Sequence, residues 1–191
     1  MKPRPAAFLD RDGTLNEEAG YIDRLDRLVL FPYAVDAIRL LHQMEYLVVV
    51  ITNQAGVAQG FYGEDFVEET GRYLAERARL GGTRIDGHYY CPHAPDAVVD
   101  KYRVECECRK PKAGMAVRAA QELDIDLRRS VVIGDRWRDL AVAQAIGGRG
   151  ILVKTGYGAT EAAMPPPGMA TDAVCENLID AVVWLQARSL P

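Results

Sequence analysis

The sequence is short of the features that mark several protein classes. No apolar run approaches the ~18 residues that would indicate a membrane span. The amino-terminal Met-Lys-Pro-Arg-Pro is not followed by the apolar stretch of a secretion signal. The expectation is a cytoplasmic chain with no membrane partner. There is no basic excess either: 23 Lys and Arg stand against 27 Asp and Glu, a formal net charge of −4. That balance argues against a general nucleic-acid binder, while leaving room for a local basic patch that binds phosphate. Histidine is scarce, at three residues, and cysteine numbers four. In a reducing compartment clustered cysteines more often hold metal than form disulfides. Internal repeats are absent, as is low complexity beyond Pro165-Pro166-Pro167, which reads as a surface loop.

What is present fits one globular domain over residues 1–191, with 49% hydrophobic and 26% charged residues. Apolar strand-like runs alternate with helix-like segments. Ala6–Asp10, Tyr46–Thr52, Ile85–Cys91, Ser130–Asp135 and Gly150–Lys154 read as strands. The second is apolar and β-branched throughout, as in a strand buried on both faces. Ala34–Met44, Glu64–Leu80, Ala113–Leu123, Arg138–Ile146 and Asn177–Ala187 read as helices. The alternation predicts an α/β fold with a parallel sheet and helices on both faces.

In such a sheet all carboxyl ends lie at one edge, so polar residues far apart in sequence meet there. Asp10 ends the first strand and Asp12 lies two residues on, with Gly13 allowing a sharp turn. Residues i and i+2 of a strand point the same way, so both carboxylates are expected to face one site; crowded anions then call for a cation or a retained proton. The plain alternative is an Asp-Gly turn. Thr52-Asn53-Gln54 follows the second strand, Cys108-Arg109-Lys110 ends the loop after the third, and Gly134-Asp135-Arg136 ends the fourth, with Asp139 one helical turn on. Three carboxylates without surplus histidine suit Mg²⁺; a threonine hydroxyl, amides, a lysine and two arginines suit phosphate.

Asp10-Arg-Asp-Gly-Thr14, Thr52, Lys110 and Gly134-Asp135 with Asp139 resemble, in order and over almost the whole chain, the four motifs of the haloacid dehalogenase superfamily of phosphatases. The resemblance implies a single Rossmann-like, doubly wound parallel sheet without a large cap domain. It implies that Asp10 attacks phosphorus and becomes an aspartyl-phosphate, and that Asp12 protonates the leaving oxygen and then deprotonates water. Mg²⁺ would be held by Asp10, Asp135 and the backbone carbonyl of Asp12, and Thr52 and Lys110 would bind the phosphoryl oxygens. Asp139 is expected to orient Lys110 or support the metal through water; the alternative is a solvated residue in a helix's first turn.

Cys91, His93, Cys106 and Cys108 supply three thiolates and one imidazole, a structural tetrahedral Zn²⁺ set within a loop at about residues 91–108. Zinc there would hold Arg109 and Lys110 at the site. Cys175 lies apart and reads as a small apolar residue. The loop resembles those of two related phosphatase groups, one acting on the 7-phosphate of D-glycero-D-manno-heptose 1,7-bisphosphate in heptose (lipopolysaccharide or S-layer) biosynthesis, the other on histidinol phosphate. The long interval from His93 to Cys106, Gly20-Tyr21 after Asn16-Glu17, and the loop from Asn53 to Gly60 favour the first. Arg109 would then contact a second phosphate or the sugar, Asn53 and Gln54 the hydroxyls. The chain departs from that group at Arg136, where lysine is usual, and at Gln59, where arginine is common. A monomer acting on a small phosphorylated sugar is the expectation; a non-enzymatic zinc-loop interaction module is the remaining alternative. His42, His88, Trp137 and Trp184 read as packing or surface residues, and the Glu-rich helix from Glu64 as a solvated face.

Overall fold

The computed structural model describes residues 3–189. One parallel sheet of six strands has the spatial order β3-β2-β1-β4-β5-β6, with β1 (Ala6–Leu9), β2 (Leu47–Asn53), β3 (Gly87–Cys91), β4 (Val131–Gly134), β5 (Arg149–Val153) and β6 (Ala173–Cys175). β1 is flanked by β2 and β4 on its two sides, Leu9 standing opposite both Val50 and Ile133. The chain winds outward to β3 and then crosses back to β4. The order therefore reverses between β1 and β4, where open α/β sheets form their ligand crevice.

Side-chain alternation sorts the strands onto two cores. Ala7, Leu9, Val48, Val50, Val131, Ile133, Ile151 and Val153 face α1 (Ala34–Gln43) and α7 (Leu178–Ser189). Ala6, Phe8, Val49, Ile51 and Val132 face α4 (Gly114–Leu123) and α5 (Trp137–Ile146). With helices on both faces, β1 is apolar throughout, β4 is apolar up to Gly134 and β2 up to Thr52, which is why these strands read as continuous hydrophobic runs.

Besides three single-turn 3-10 helices, the structure adds α2 (Ala55–Ala58), α6 (Gly158–Ala163) and the edge strand β6 to the elements expected. Each is too short to leave a periodic signal, and β6 is three residues on the outer edge. The third strand begins at Gly87, two residues later than expected. α3 (Glu64–Leu80) is not simply a solvated face: the Glu64 carboxylate accepts from the Tyr90 and Tyr102 hydroxyls, and Val67 joins a small core with Val57, Ala94 and Tyr102. That core seats the cysteine loop on α2, where Val98 and Val99 both donate to the Ala58 carbonyl. Cys175 is buried in the α1/α7 core. Trp137 is buried and its indole donates to the Glu161 carbonyl, tying α5 to α6, while Trp184 is half-buried beneath the Arg188 guanidinium. His42 bridges Thr83 and Asp86. No helix among the described residues is long and apolar enough to cross a membrane.

His88 on β3 lies against Gly71 of α3, and its Nε2 is buried without a partner among the described residues. Burial, with the charge of Arg11 adding to it, lowers its pKa from 6.5 to about 4. The unfolded chain therefore binds the proton that the folded one refuses, so the stability associated with neutral His88 is present above pH 6.5 and is lost as pH falls toward 4. Relative to His88→Gln, the wild-type protein is expected to lose on the order of 3 kcal/mol between pH 7 and pH 4. Chemical denaturation of both proteins across that range checks this, and a pH-independent difference would contradict it.

Candidate active site

The carboxyl edge of the sheet at the β1/β4 reversal opens into a cleft of about 330 Å³ lined by Asp10, Asp12, Glu18, Tyr21, Thr52, Asn53, Gln54, Tyr62, Arg109, Arg136, Arg138 and Tyr157. Asp10 begins the loop after β1, its N–H bonded to the Ile133 carbonyl at 3.0 Å. Asp12 reaches the same cleft through a tight turn rather than through strand alternation, since β1 ends at Leu9. Gly13 makes that turn with φ +79°, and a Cβ on it would collide with the Asp135 carboxylate; Gly156, at φ +58°, packs against Gly13 and meets the same carboxylate oxygen.

The floor is a buried charge cluster. The Lys110 ammonium, fully buried, lies 2.8 Å from Asp10 Oδ1 and 2.7 Å from Asp139 Oδ1, and donates to the Ile51 carbonyl at 2.9 Å. Asp139 is thus not solvated: one oxygen holds Lys110 and the other accepts from the Arg136 N–H at 3.1 Å, capping α5. Asp135 accepts from the Tyr157 N–H at 2.8 Å. Carboxylate oxygens of Asp10, Asp135 and Asp139 lie within 4.8 Å of one another. Burial pushes Asp10 up to about 6, against the pull of Lys110. Burial, then the charges of Asp10 and Asp139, pushes Asp135 up to about 8. Burial alone would lower Lys110, but Asp10 and Asp139 outweigh it and hold the ammonium above its ordinary value. Carboxylates this crowded want more positive charge than one lysine provides, and their hard oxygen donors fit Mg²⁺.

Asp12 is held separately. Arg11, only 1% exposed, donates to both Asp12 oxygens at 2.9–3.1 Å, Asn16 Nδ2 to Oδ1 at 3.0 Å, and Gln54 Nε2 to Oδ2 at 3.0 Å. Gln54 Nε2 also donates to Thr52 Oγ1 at 2.7 Å, while its Oε1 accepts from the Tyr62 hydroxyl at 2.8 Å. Asn53 donates to the Lys110 carbonyl and accepts from the Lys110 N–H. Both amides, expected from sequence to meet substrate hydroxyls, line the cleft with their hydrogen bonds already committed to Asp12, Thr52 and Lys110. Arg11 and Tyr62 carried no role in the sequence reading, and Glu18 lies in the loop 16–22 expected to contribute to selectivity. The Asp-Arg-Asp order was a signal for Arg11, since an arginine between two carboxylates has an ion-pair partner within reach. Gln59 stands outside the cleft, donating to the Asp96 carbonyl.

Beside the cleft, Cys91, His93, Cys106 and Cys108 converge. The Cys108 Sγ is 3.0 Å from that of Cys91 and 3.3 Å from that of Cys106, and His93 Nδ1 is 3.3 Å from Cys108 Sγ. All four cysteines of the chain are free of disulfides. Three sulfurs and one nitrogen packed together fit a closed tetrahedral Zn²⁺ set. Burial, reinforced by Cys108, raises the Cys91 thiol, so an uncharged cluster is the state favoured until a cation draws off the protons. The loop reaches the cleft through Arg109, whose Nη1 donates to the His93 carbonyl at 2.8 Å.

Comparison with known proteins agrees with this architecture. The Hydrolase_like family model, described as HAD-hyrolase-like, matches residues 107–181. The D-glycero-beta-D-manno-heptose-1,7-bisphosphate 7-phosphatase of Escherichia coli (strain K12) is 38% identical over 191 residues, covering 100% of this chain and 98% of the relative. The Yersinia pestis protein of the same name is 38% identical over 185 residues, 96% of each chain. The crystal structure of D,D-heptose 1,7-bisphosphate phosphatase from B. bronchiseptica complexed with magnesium and phosphate superposes with a TM-score of 0.84 at 31% identity, covering 96% of this chain and 99% of that one. The motif residues gathered at the sheet edge and the full-length similarity lead to one assignment: the chain belongs to the haloacid dehalogenase-like family of phosphoric monoester hydrolases.

Proposed function

We propose that this protein is a Mg²⁺-dependent phosphatase that removes the 7-phosphate of D-glycero-D-manno-heptose 1,7-bisphosphate, in the biosynthesis of nucleotide-activated heptose for lipopolysaccharide core or S-layer. The observation that carries the reading is the buried Lys110 ammonium bridging Asp10 and Asp139 beside Asp135, at the floor of a cleft whose rim bears Arg109, Arg136 and Arg138. The substrate follows from the full-length relatives of that name.

In this reading an Asp10 oxygen attacks phosphorus, the bond to the sugar oxygen breaks, and Asp12 gives that oxygen its proton. Asp12 then takes a proton from water, whose oxygen attacks phosphorus and frees Asp10. Thr52 and Lys110 hold the transferring oxygens. Asp10 and Asp135, with the Asp12 carbonyl, would hold Mg²⁺, which when bound supplies the positive charge that offsets carboxylate–phosphate repulsion. Arg109 and Arg136 bind the rest of the substrate; Arg136, replacing the usual lysine, is set by stacking 3.5 Å over the Tyr157 ring. Asn53 and Gln54 border the sugar while positioning Lys110, Thr52 and Asp12. The Cys91, His93, Cys106 and Cys108 set holds structural Zn²⁺. In this role the whole chain acts as one domain and as a monomer in the cytoplasm, on a small phosphorylated sugar, with neither nucleic acid nor membrane as partner.

Asp10→Asn is expected to lower phosphate release by at least about a thousandfold while the protein stays folded; substantial turnover in a malachite-green assay would refute Asp10 as nucleophile. Heptose 1,7-bisphosphate should show a higher kcat/KM than histidinol phosphate or simple sugar bisphosphates, measured side by side with both anomers. A clear preference for histidinol phosphate would replace the proposed substrate. Metal analysis should find about one zinc per chain, and Cys106→Ser should lose it together with thermal stability. Zinc absent from wild-type protein prepared under reducing, zinc-replete conditions would remove the structural role.

A further inference from the structure

Arg138, the second residue of α5, lines the cleft beside Arg109 and Arg136 but differs from both in one respect. Arg109 donates to the His93 carbonyl and Arg136 stacks on Tyr157. Arg138 is half-buried, its Nε is buried without an acceptor, and its guanidinium makes no ion pair among the described residues. An arginine carries five donors and cannot shed its charge, so partly burying one unpaired is costly unless something anionic arrives. The same cleft is lined by Glu18, in the loop that follows Asp12. Its Oε1 is tied to the Gly20 N–H at 2.7 Å, so the carboxylate is fixed in place without forming an ion pair with either arginine. It is nonetheless within electrostatic reach of Asp12, Arg136 and Arg138. Glu18 and Arg138 thus present one negative and one positive group to the same cleft, and neither belongs to the buried cluster around Lys110.

We propose that Arg138 and Glu18 are a specificity pair for the phosphate that is not hydrolysed: the free Arg138 guanidinium binds its oxygens, and the Glu18 carboxylate opposes it and limits how tightly it is held. This rests on the bisphosphate reading above. A phosphate monoester carries close to two negative charges at neutral pH, and a guanidinium meets two of its oxygens at once. The opposing carboxylate keeps the retained phosphate from binding so firmly that product cannot leave. A monophosphorylated sugar held by the same reacting group has nothing for either residue to act on.

The test separates binding from turnover by placing each change in the Asp10→Asn protein and measuring Kd calorimetrically with Mg²⁺ present. The ligands are heptose 1,7-bisphosphate and heptose 7-phosphate. Arg138→Ala should weaken the bisphosphate about tenfold and the 7-phosphate less than about twofold, with Arg138→Lys between wild type and alanine. Glu18→Gln should act in the opposite direction and tighten the bisphosphate several-fold, an effect that shrinks at high salt. Equal weakening of both ligands by Arg138→Ala, no weakening of either, or looser bisphosphate binding by Glu18→Gln overturns the proposal. Binding with this pattern but without hydrolysis by wild-type enzyme overturns the phosphatase substrate instead and leaves the pair standing. Hydrolysis with an unchanged ligand ratio in Arg138→Ala overturns the pair alone.

Discussion

The site depends on one interaction, the Lys110 ammonium enclosed between Asp10 and Asp139. All three groups are out of solvent, and removing one partner from such a cluster costs about 3–5 kcal/mol because it strands a buried charge. The lysine therefore has little freedom to leave, and neither does Asp10, whose reactive carboxylate is aimed by it. Asp139 closes the arrangement from the far side and, by capping the Arg136 N–H, also fixes where α5 starts. One ion-pair cluster thus sets the nucleophile, the first turn of α5 and the arginines on that turn. What it leaves unbalanced is charge: three carboxylates share one ammonium, and burial, with the charges of Asp10 and Asp139 added to it, pushes Asp135 up to about 8.

Lys110 itself needs placing, since it follows a long loop. Two features do this. Asn53, at the end of β2, clasps both the N–H and the carbonyl of Lys110. The Cys91, His93, Cys106 and Cys108 cluster gathers the loop ends, and the Ala94, Ala97 and Tyr102 core seats the stretch between them on α2 and α3. Ordering a segment of this length carries an entropy cost that its small core only partly offsets. A bound metal would make up the difference, so the cysteine cluster bears on catalysis through position alone.

Much of this was legible in the sequence because its cause is local. Continuous β-branched runs mark strands covered on both faces, and a carboxylate or threonine at the end of three of them marks the sheet edge. Asp10, Thr52 and Asp135 could be placed on those grounds, whereas Lys110, which follows a long loop, was placed by its resemblance to the family motif. The parts that could not be read depend on three-dimensional partners. The interior position of Arg11 exists only because Asp12, Thr70 and the β1 turn close around it. The commitments of Asn53 and Gln54 to Lys110, Asp12 and Thr52 turn apparent substrate ligands into positioning groups. α2, α6 and β6 are held by neighbours rather than by their own periodicity, and strand alternation gave the right destination for Asp12 by the wrong route, because a turn and not a strand carries it there.

The charge layout explains how a cleft without a large cap can still be selective. The floor is anionic and the rim carries three guanidiniums, so an approaching anion is drawn to the rim and repelled by the floor until positive charge is supplied there. A ligand with a single phosphate satisfies one end of this arrangement. A ligand with two phosphates separated by a sugar satisfies both, and its second phosphate compensates for the closure that a cap would otherwise supply. The rim residues come from three separate segments, residues 18–21, 109 and 136–138, none of which belongs to the sheet. Selectivity can therefore change by substitution in loops and at one helix start while the buried cluster around Lys110 stays intact. Arg136 is placed for a change of this kind: its side chain stacks on Tyr157, while only its backbone N–H meets the buried cluster, through Asp139.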